Sequence, residues 1–241
     1  MTAIHNGLIA RIKPGDRILY HGNYTGFGQH AVECVDEILA FRRLILCIPG
    51  MMPTDFIYLR GQQEQMWQKL LQLPFAPDPM NVLLWMLGNG LSTTLYSYGL
   101  CPHDAIEACR AGTLPLTKWI AKVREAVRKH PGHETFANHQ TRAAFTDEEQ
   151  SYPMLFIHAG LNSAYNLQDQ GDNLWWGGED FDHVAQAYKP FEKVIRGYDP
   201  AHRGLYLNCI TATTDNACGF GGNLISVGFE TDGSVHEILE S

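Results

Sequence analysis

The spacing of apolar positions changes along the chain, and each change marks an element. Phe56 to Leu59 form a short apolar run that predicts a buried strand, and Arg60-Gly61 a tight exit from it. From Gln62 onward, Met66, Leu70 and Leu73 fall at helical spacing. A strand-to-helix corner of this kind holds functional side chains at the carboxyl end of a sheet. Upstream, Arg17 to His21 predicts a strand after Pro14-Gly15-Asp16. Ala31 to Arg43 places Val32, Val35, Ile38 and Leu39 on one face and Glu33, Asp36, Glu37, Arg42 and Arg43 on the other, an amphipathic helix. Between them, Gly22 to Gly28 has three glycines in seven residues. That composition suits close approach of a ligand and suits a flexible loop equally.

After Pro74 helical periodicity dominates. Asn81 to Asn89, Leu91 to Tyr98, His103 to Arg110 and Leu116 to His130 are predicted helices, and Pro131-Gly132 stops the last. His133 and His139 lie six apart in a polar segment, which is no helical ligand spacing, so both are expected on the surface. Met154 to Ala159 returns to a buried-strand pattern. Phe191 to Ile195, Gly204 to Asn208, Asn223 to Phe229 and Val235 to Leu239 continue it, with Thr231-Asp232-Gly233 as a hairpin turn. Trp175-Trp176 reads as a core or interface anchor, and Glu179, Asp180 and Asp182 as a solvated turn. The expectation is one α/β domain over 1–241 with a helical insert at about 74–150.

Charge narrows the partners. The formal net charge is −8, with 18 Lys and Arg against 26 Asp and Glu. That argues against a nucleic-acid or anionic-membrane binder, which would need clustered cations. Lys118, Lys122, Arg124, Arg128 and Lys129 surround an apolar stripe and read as a solvated helix face. Six scattered cysteines without a C-x-x-C pair predict reduced, mostly buried thiols in a cytoplasmic protein. No secretory leader or membrane span is expected.

Six segments, in order, resemble the calcineurin-like metallophosphoesterases, the superfamily that includes the serine/threonine protein phosphatases. Gly22-Asn23-Tyr24-Thr25-Gly26-Phe27-Gly28 is similar to their Gly-Asp-x-x-Asp-Arg-Gly loop, and Arg60-Gly61-Gln62-Gln63-Glu64 to Arg-Gly-Asn-His-Glu. Phe156 to Leu161 resembles the strand with a metal-binding His, here His158, and Leu174-Trp175 the Leu-Trp that follows it. Arg196-Gly197-Tyr198-Asp199-Pro200 stands where Gly-His-Thr-Pro is expected, and Thr214-Asp215 with Gly219 to Leu224 resembles the closing hairpin. The resemblance implies a calcineurin-like β-sandwich flanked by helices.

It also implies a centre of two divalent metals ~3.5–4 Å apart that generates a hydroxide and clamps the phosphoryl oxygens. Here the bridging Asp is Asn23, the second-site Asn is Gln62, the catalytic His is Gln63, the late His is Tyr198, and a phosphate-binding Arg is Phe27. The opening Gly-Asp-x-His-Gly motif has no counterpart, because the chain begins about where that strand should have ended. Of the implied site only His158, a vestigial metal ligand, and Arg60, a phosphate contact, remain. His158 reads equally as a hydrogen-bonded structural histidine, and Arg60 as an arginine paired with Glu64. His21, His30 and Asp199 are nearby in sequence and could rebuild a mononuclear site. The expectation is a pseudophosphatase without metal cofactors that binds a protein partner or a phosphate-type anion. The alternative is an active phosphoesterase using Mn or another divalent metal, with a rebuilt site or a first strand lying outside the chain.

Overall fold

A computed structural model describes residues 1–147 and 149–241. In chain order it contains α1 (Thr2–Ile9), β1 (Ile18–Tyr20), α2 (Ala31–Ile45), β2 (Phe56–Tyr58), α3 (Gln62–Leu70), α4 (Pro79–Met86), α5 (Ser92–Ser97), α6 (Pro102–Arg110), α7 (Thr113–Arg128) and α8 (His133–Asn138). Then follow β3 (Ala144–Phe145), β4 (Met154–Ile157), α9 (Asn173–Trp176), α10 (Gly178–Phe181), β5 (Lys193–Arg196), β6 (Tyr206–Leu207), β7 (Thr211–Thr213), β8 (Ile225–Phe229) and β9 (Val235–Glu240). The fold is mixed α/β, with helices and a mixed sheet. Among the described residues no helix is long and apolar enough to cross a membrane.

The chain divides into two compact units. One, the sheet unit, comprises Met1–Gly22, Phe41–Gln62 and Gln140–Ser241; the other, the helical unit, comprises Asn23–Ala40 and Gln63–His139. The helical part, expected at about 74–150, thus begins at Gln63, ends at His139, and includes Asn23–Ala40.

Among the described residues, all nine strands belong to the sheet unit. β4, β5 and β7 run parallel at the centre of a five-stranded sheet, with β3 and β6 antiparallel at its edges in the order β3-β4-β5-β7-β6. Parallel strands covered on both faces carry few exposed positions, and all four residues of β5 and all three of β7 are buried. β1 pairs in parallel with β2, Ile18 opposite Phe56 and Tyr20 opposite Tyr58. β8 and β9 form an antiparallel hairpin whose turn has Gly233 at φ 77°, the left-handed conformation a glycine adopts without strain. Leu155, Ile157, Leu161, Leu174 and Val194 belong to one core cluster of the sheet unit, around β4 and β5.

In the helical unit, Leu116, Trp119, Ile120 and Val123 of α7 pack with Leu83, Met86, Leu91 and Leu95 in one core. Lys118, Lys122, Arg124, Arg128 and Lys129 are exposed, as a solvated face requires. α4 and α5 are separated by a kink at Asn89-Gly90, where Gly90 has φ 104° and a Cβ would stand 3.0 Å from the Gln63 side chain.

Two expectations of burial fail. His133 is buried, 2% exposed, rather than on the surface. Cys47, Cys101, Cys209 and Cys218 are exposed and only Cys34 and Cys109 are partly covered. The four exposed thiols stand at helix ends and in turns, where position overrides the burial preference of the residue type.

Candidate functional site

Within the sheet unit, the residues just past β1, β2, β4 and β5 lock together. His21 follows β1 and His158 follows β4. The His158 Nδ1–H donates to the His21 carbonyl at 2.7 Å, and the His21 Nδ1–H donates to the Ile157 carbonyl at 2.9 Å. Because both partners are carbonyls, each ring carries its proton on Nδ1 and presents a bare Nε2. The His158 Nε2 is buried and has no hydrogen-bond partner among the described residues. Burial pushes both rings down to about 4, against the smaller opposing pull of their carbonyl partners. Both are neutral at pH 7.

The end of β5 closes over them. The Gly197 and Tyr198 amides donate to the His158 carbonyl at 3.1 and 2.9 Å, and the Tyr198 ring stacks parallel to His158 with centroids 5.4 Å apart. Burial, then the negative charges of Asp215 and Asp199, raise the Tyr198 phenol, so it stays protonated. A Cβ on Gly197 would lie 1.9 Å from the His21 Cβ. At the corner after β2, Gly22 has φ 98° and a Cβ there would lie 2.4 Å from the Gly61 amide nitrogen. Trp175, 4% exposed, donates its indole N–H to the Arg60 carbonyl at 2.8 Å, while the Gln62 side-chain amide donates to the Trp175 carbonyl at 2.7 Å. Arg60 itself is partly buried.

Asn23 and Gln63 lie in the helical unit and hold each other. The Asn23 side-chain oxygen accepts the Gln63 amide at 3.1 Å, capping an orphan donor at the start of α3. The Glu64 carboxylate accepts the Asn23 and Tyr24 amides at 2.8 and 2.9 Å. The Gln63 side-chain amide donates to the Asn89 carbonyl at 2.9 Å. Asn23 itself adopts φ 56°, a left-handed conformation that asparagine tolerates well.

Asp199 is not available as a ligand. It is 2% exposed, and although burial alone would raise its carboxyl, hydrogen bonds from the Arg203 side chain and the Ala201 amide and the Arg196 charge bring it down to about 2. His30 is exposed in the helical unit, 3.7 Å from Glu33.

Two constellations had no part in the sequence reading. Arg196, 2% exposed, donates to Thr213 Oγ1 at 3.0 Å, the Gly178 carbonyl at 3.1 Å and Asp182 at 3.2 Å, pairs with Asp199 at 3.1 Å, and lies 4.3 Å from the Phe181 ring centroid. Asp182, expected in a solvated turn, also accepts from Arg203 Nη2 on both carboxylate oxygens, at 2.7 and 2.8 Å. In the helical unit, Asp36, His130 and His133 bring one ligand atom each within 4.8 Å of one another. The H-P-G-H spacing from His130 to His133 was the available signal.

Compared with protein-family models and with curated proteins, the chain has no match.

Proposed function

We propose that the chain is a degenerate calcineurin-like metallophosphoesterase: a β-sandwich flanked by helices, with a helical insert, that keeps the strand-end corner and lacks the dinuclear chemistry. It works as a binding or regulatory protein for a phosphate-type anion or a protein partner. The carrying observation is the engagement of the family's reactive positions on the main chain. Gln62 is bonded to Trp175, Gln63 to Asn89, and the Asn23 oxygen to the Gln63 amide. An amide side chain has no proton to give or take near pH 7, so neither Gln62 nor Gln63 can serve as the general acid that the family's chemistry needs.

A pair of divalent cations does not fit these residues. His158 and His21 each offer a bare imidazole nitrogen with the other N–H on a carbonyl, the arrangement a metal ligand adopts. Tyr198, stacked on His158, is a protonated phenol, and two neutral imidazoles cannot compensate two dications. Arg60, beside the Gly61 corner, supplies the planar donor fork suited to an oxyanion.

The test is calorimetric titration of inorganic phosphate into wild type and Arg60→Ala, together with elemental analysis and Mn²⁺-dependent hydrolysis of p-nitrophenyl phosphate. The expected result is phosphate binding that Arg60→Ala weakens about tenfold or more, no stoichiometric metal pair, and no turnover above background. Two metals per chain with turnover would establish instead the active phosphoesterase. Equal phosphate binding by both proteins would remove the anion and leave a protein partner.

A further inference from the structure

We propose that Asp36, His130 and His133 form a binding site for one divalent transition-metal ion of the zinc class, which staples α2 to the turn between α7 and α8 inside the helical unit. The three residues lie outside the positions compared above with the phosphoesterases, so the inference stands or falls independently of that function.

The chain builds the site with a short, tightly specified turn. α7 ends at Arg128, and Pro131-Gly132 reverse the chain so that the His133 amide bonds the His130 carbonyl at 3.3 Å. Gly132 has φ 90°, and a Cβ there would come within 2.9 Å of Leu39 Cδ1, so the turn sits against α2 in a form only glycine fits. Leu39 and Asp36, expected on opposite faces of α2, are three apart and both reach this turn, Leu39 at Gly132 and Asp36 at His133. The same packing therefore carries the Asp36 carboxylate to the turn. His130 and His133 present their rings 5.1 Å apart at 34°.

The donor set has the composition and spacing of a zinc site. His133 Nε2 and Asp36 Oδ1 are 3.1 Å apart, and one ligand atom from each of Asp36, His130 and His133 lies within 4.8 Å of the others. A tetrahedral ion with bonds of ~2.0–2.1 Å needs ligand atoms about 3.3 Å apart, so only His130 must close in. It is partly exposed and its ring can turn. Two imidazoles and a carboxylate suit zinc, with a fourth position left for water. The Asp36 side chain is 55% exposed, which gives the ion a path from solvent.

The outer partner is also in place. His133 Nδ1 is 2.8 Å from the Tyr98 hydroxyl. Without metal, the hydroxyl donates to Nδ1 and Nε2–H donates to Asp36. With metal on Nε2, the ring proton moves to Nδ1 and the hydroxyl accepts it, since a hydroxyl serves in either role. A Tyr98–His133–Asp36 hydrogen-bonded chain would account for two of the three residues. It leaves out His130, whose ring packs on Tyr98 and His133 and brings a third ligand atom within 4.8 Å of the other two.

The experiment uses the full chain and Co²⁺, followed by its visible d–d absorption, with Zn²⁺ as competitor. Wild type should bind one Co²⁺ with tetrahedral-type absorption that Zn²⁺ abolishes. His130→Ala and Asp36→Ala, whose side chains both reach solvent, should fold normally and bind at least about tenfold more weakly. Tyr98→Phe should also weaken binding by about tenfold, the scale of an outer-partner loss. His139→Ala, which removes an exposed histidine from the end of the same turn-and-helix segment, should match wild type. Absence of saturable absorption in wild type, or equal affinity in wild type, His130→Ala and Asp36→Ala, would overturn the site. A single zinc found on elemental analysis belongs here if His130→Ala removes it, and to the strand-end corner if it persists.

Discussion

Replacing Arg196 by methionine removes the one buried cation that ties the end of β5 to two loops. The guanidinium bonds Thr213 on β7, the Gly178 carbonyl, Asp182, and Asp199 in the segment after Tyr198. Methionine has similar length and fills most of the volume, so the loss is electrostatic and not a cavity. Breaking one side of a buried ion pair costs about 3–5 kcal/mol, because the remaining partners stay buried without compensation. Arg203 still pairs with both carboxylates, which places the expected cost near the lower end, at about 3 kcal/mol. Arg203→Met is the internal comparison. Its side chain is 52% exposed, so water screens its pairs and its loss should cost below about 1 kcal/mol. Urea unfolding followed by far-UV circular dichroism reads both. Because the Arg196 bonds hold Tyr198 over His158, Arg196→Met should also increase hydrogen exchange at the Gly197 and Tyr198 amides. A stability loss for Arg196→Met no larger than for Arg203→Met would refute the reasoning.

Two further predictions concern the same corner. His21 and His158 are held neutral with pKa values of about 4 against 6.5 when exposed. The unfolded chain therefore binds more protons between those values, and the stability is complete above pH 6.5 and lost as pH falls toward 4. The loss approaches about 3 kcal/mol per ring; urea midpoints across that window should fall for wild type and fall distinctly less for His158→Gln, and parallel pH profiles would sink the idea. Gly197→Ala puts a methyl on the His21 Cβ, which is fixed to backbone and cannot swing aside, so a loss of about 3 kcal/mol or more is expected in the same urea assay. A wild-type midpoint would show that the close approach is relaxed in solution.

Where apolar spacing was strong, the sequence was readable. The β2-to-α3 corner, α2, and the helices from α4 to α7 all stand within a few residues of their expected bounds, because each buries a periodic stripe. β7 was missed for the opposite reason. Thr211, Ala212 and Thr213 have no apolar alternation, and they form a strand because β5 offers a ladder of backbone partners. α1 was missed because only Ile4 and His5 of its eight residues are buried. At the site, the corner itself was legible, but the roles of its residues were not. Nothing local distinguishes Gln62 reaching toward a cation from Gln62 bonded to the Trp175 carbonyl, which is far away in sequence. Arg196 was read only as the start of the segment through Pro200, since Thr213, Gly178 and Asp182 are brought to it only by the fold. His133 was weighed against His139, whereas its neighbour in space is His130, across a proline-glycine reversal.

The interleaving of the two units has a consequence for how the chain is made. Everything the helical unit needs has been synthesised once His139 is added, whereas the sheet unit waits for segments that end at Ser241. Domains assemble as units during translation, so the helical unit can consolidate while β1 and β2 have only each other. A two-stranded pair is marginal in water and exposes unpaired edges. The interval between the synthesis of β2 and that of β4 and β5 is therefore the period in which the nascent chain most needs a chaperone, and slow codons placed after His139 would lengthen it.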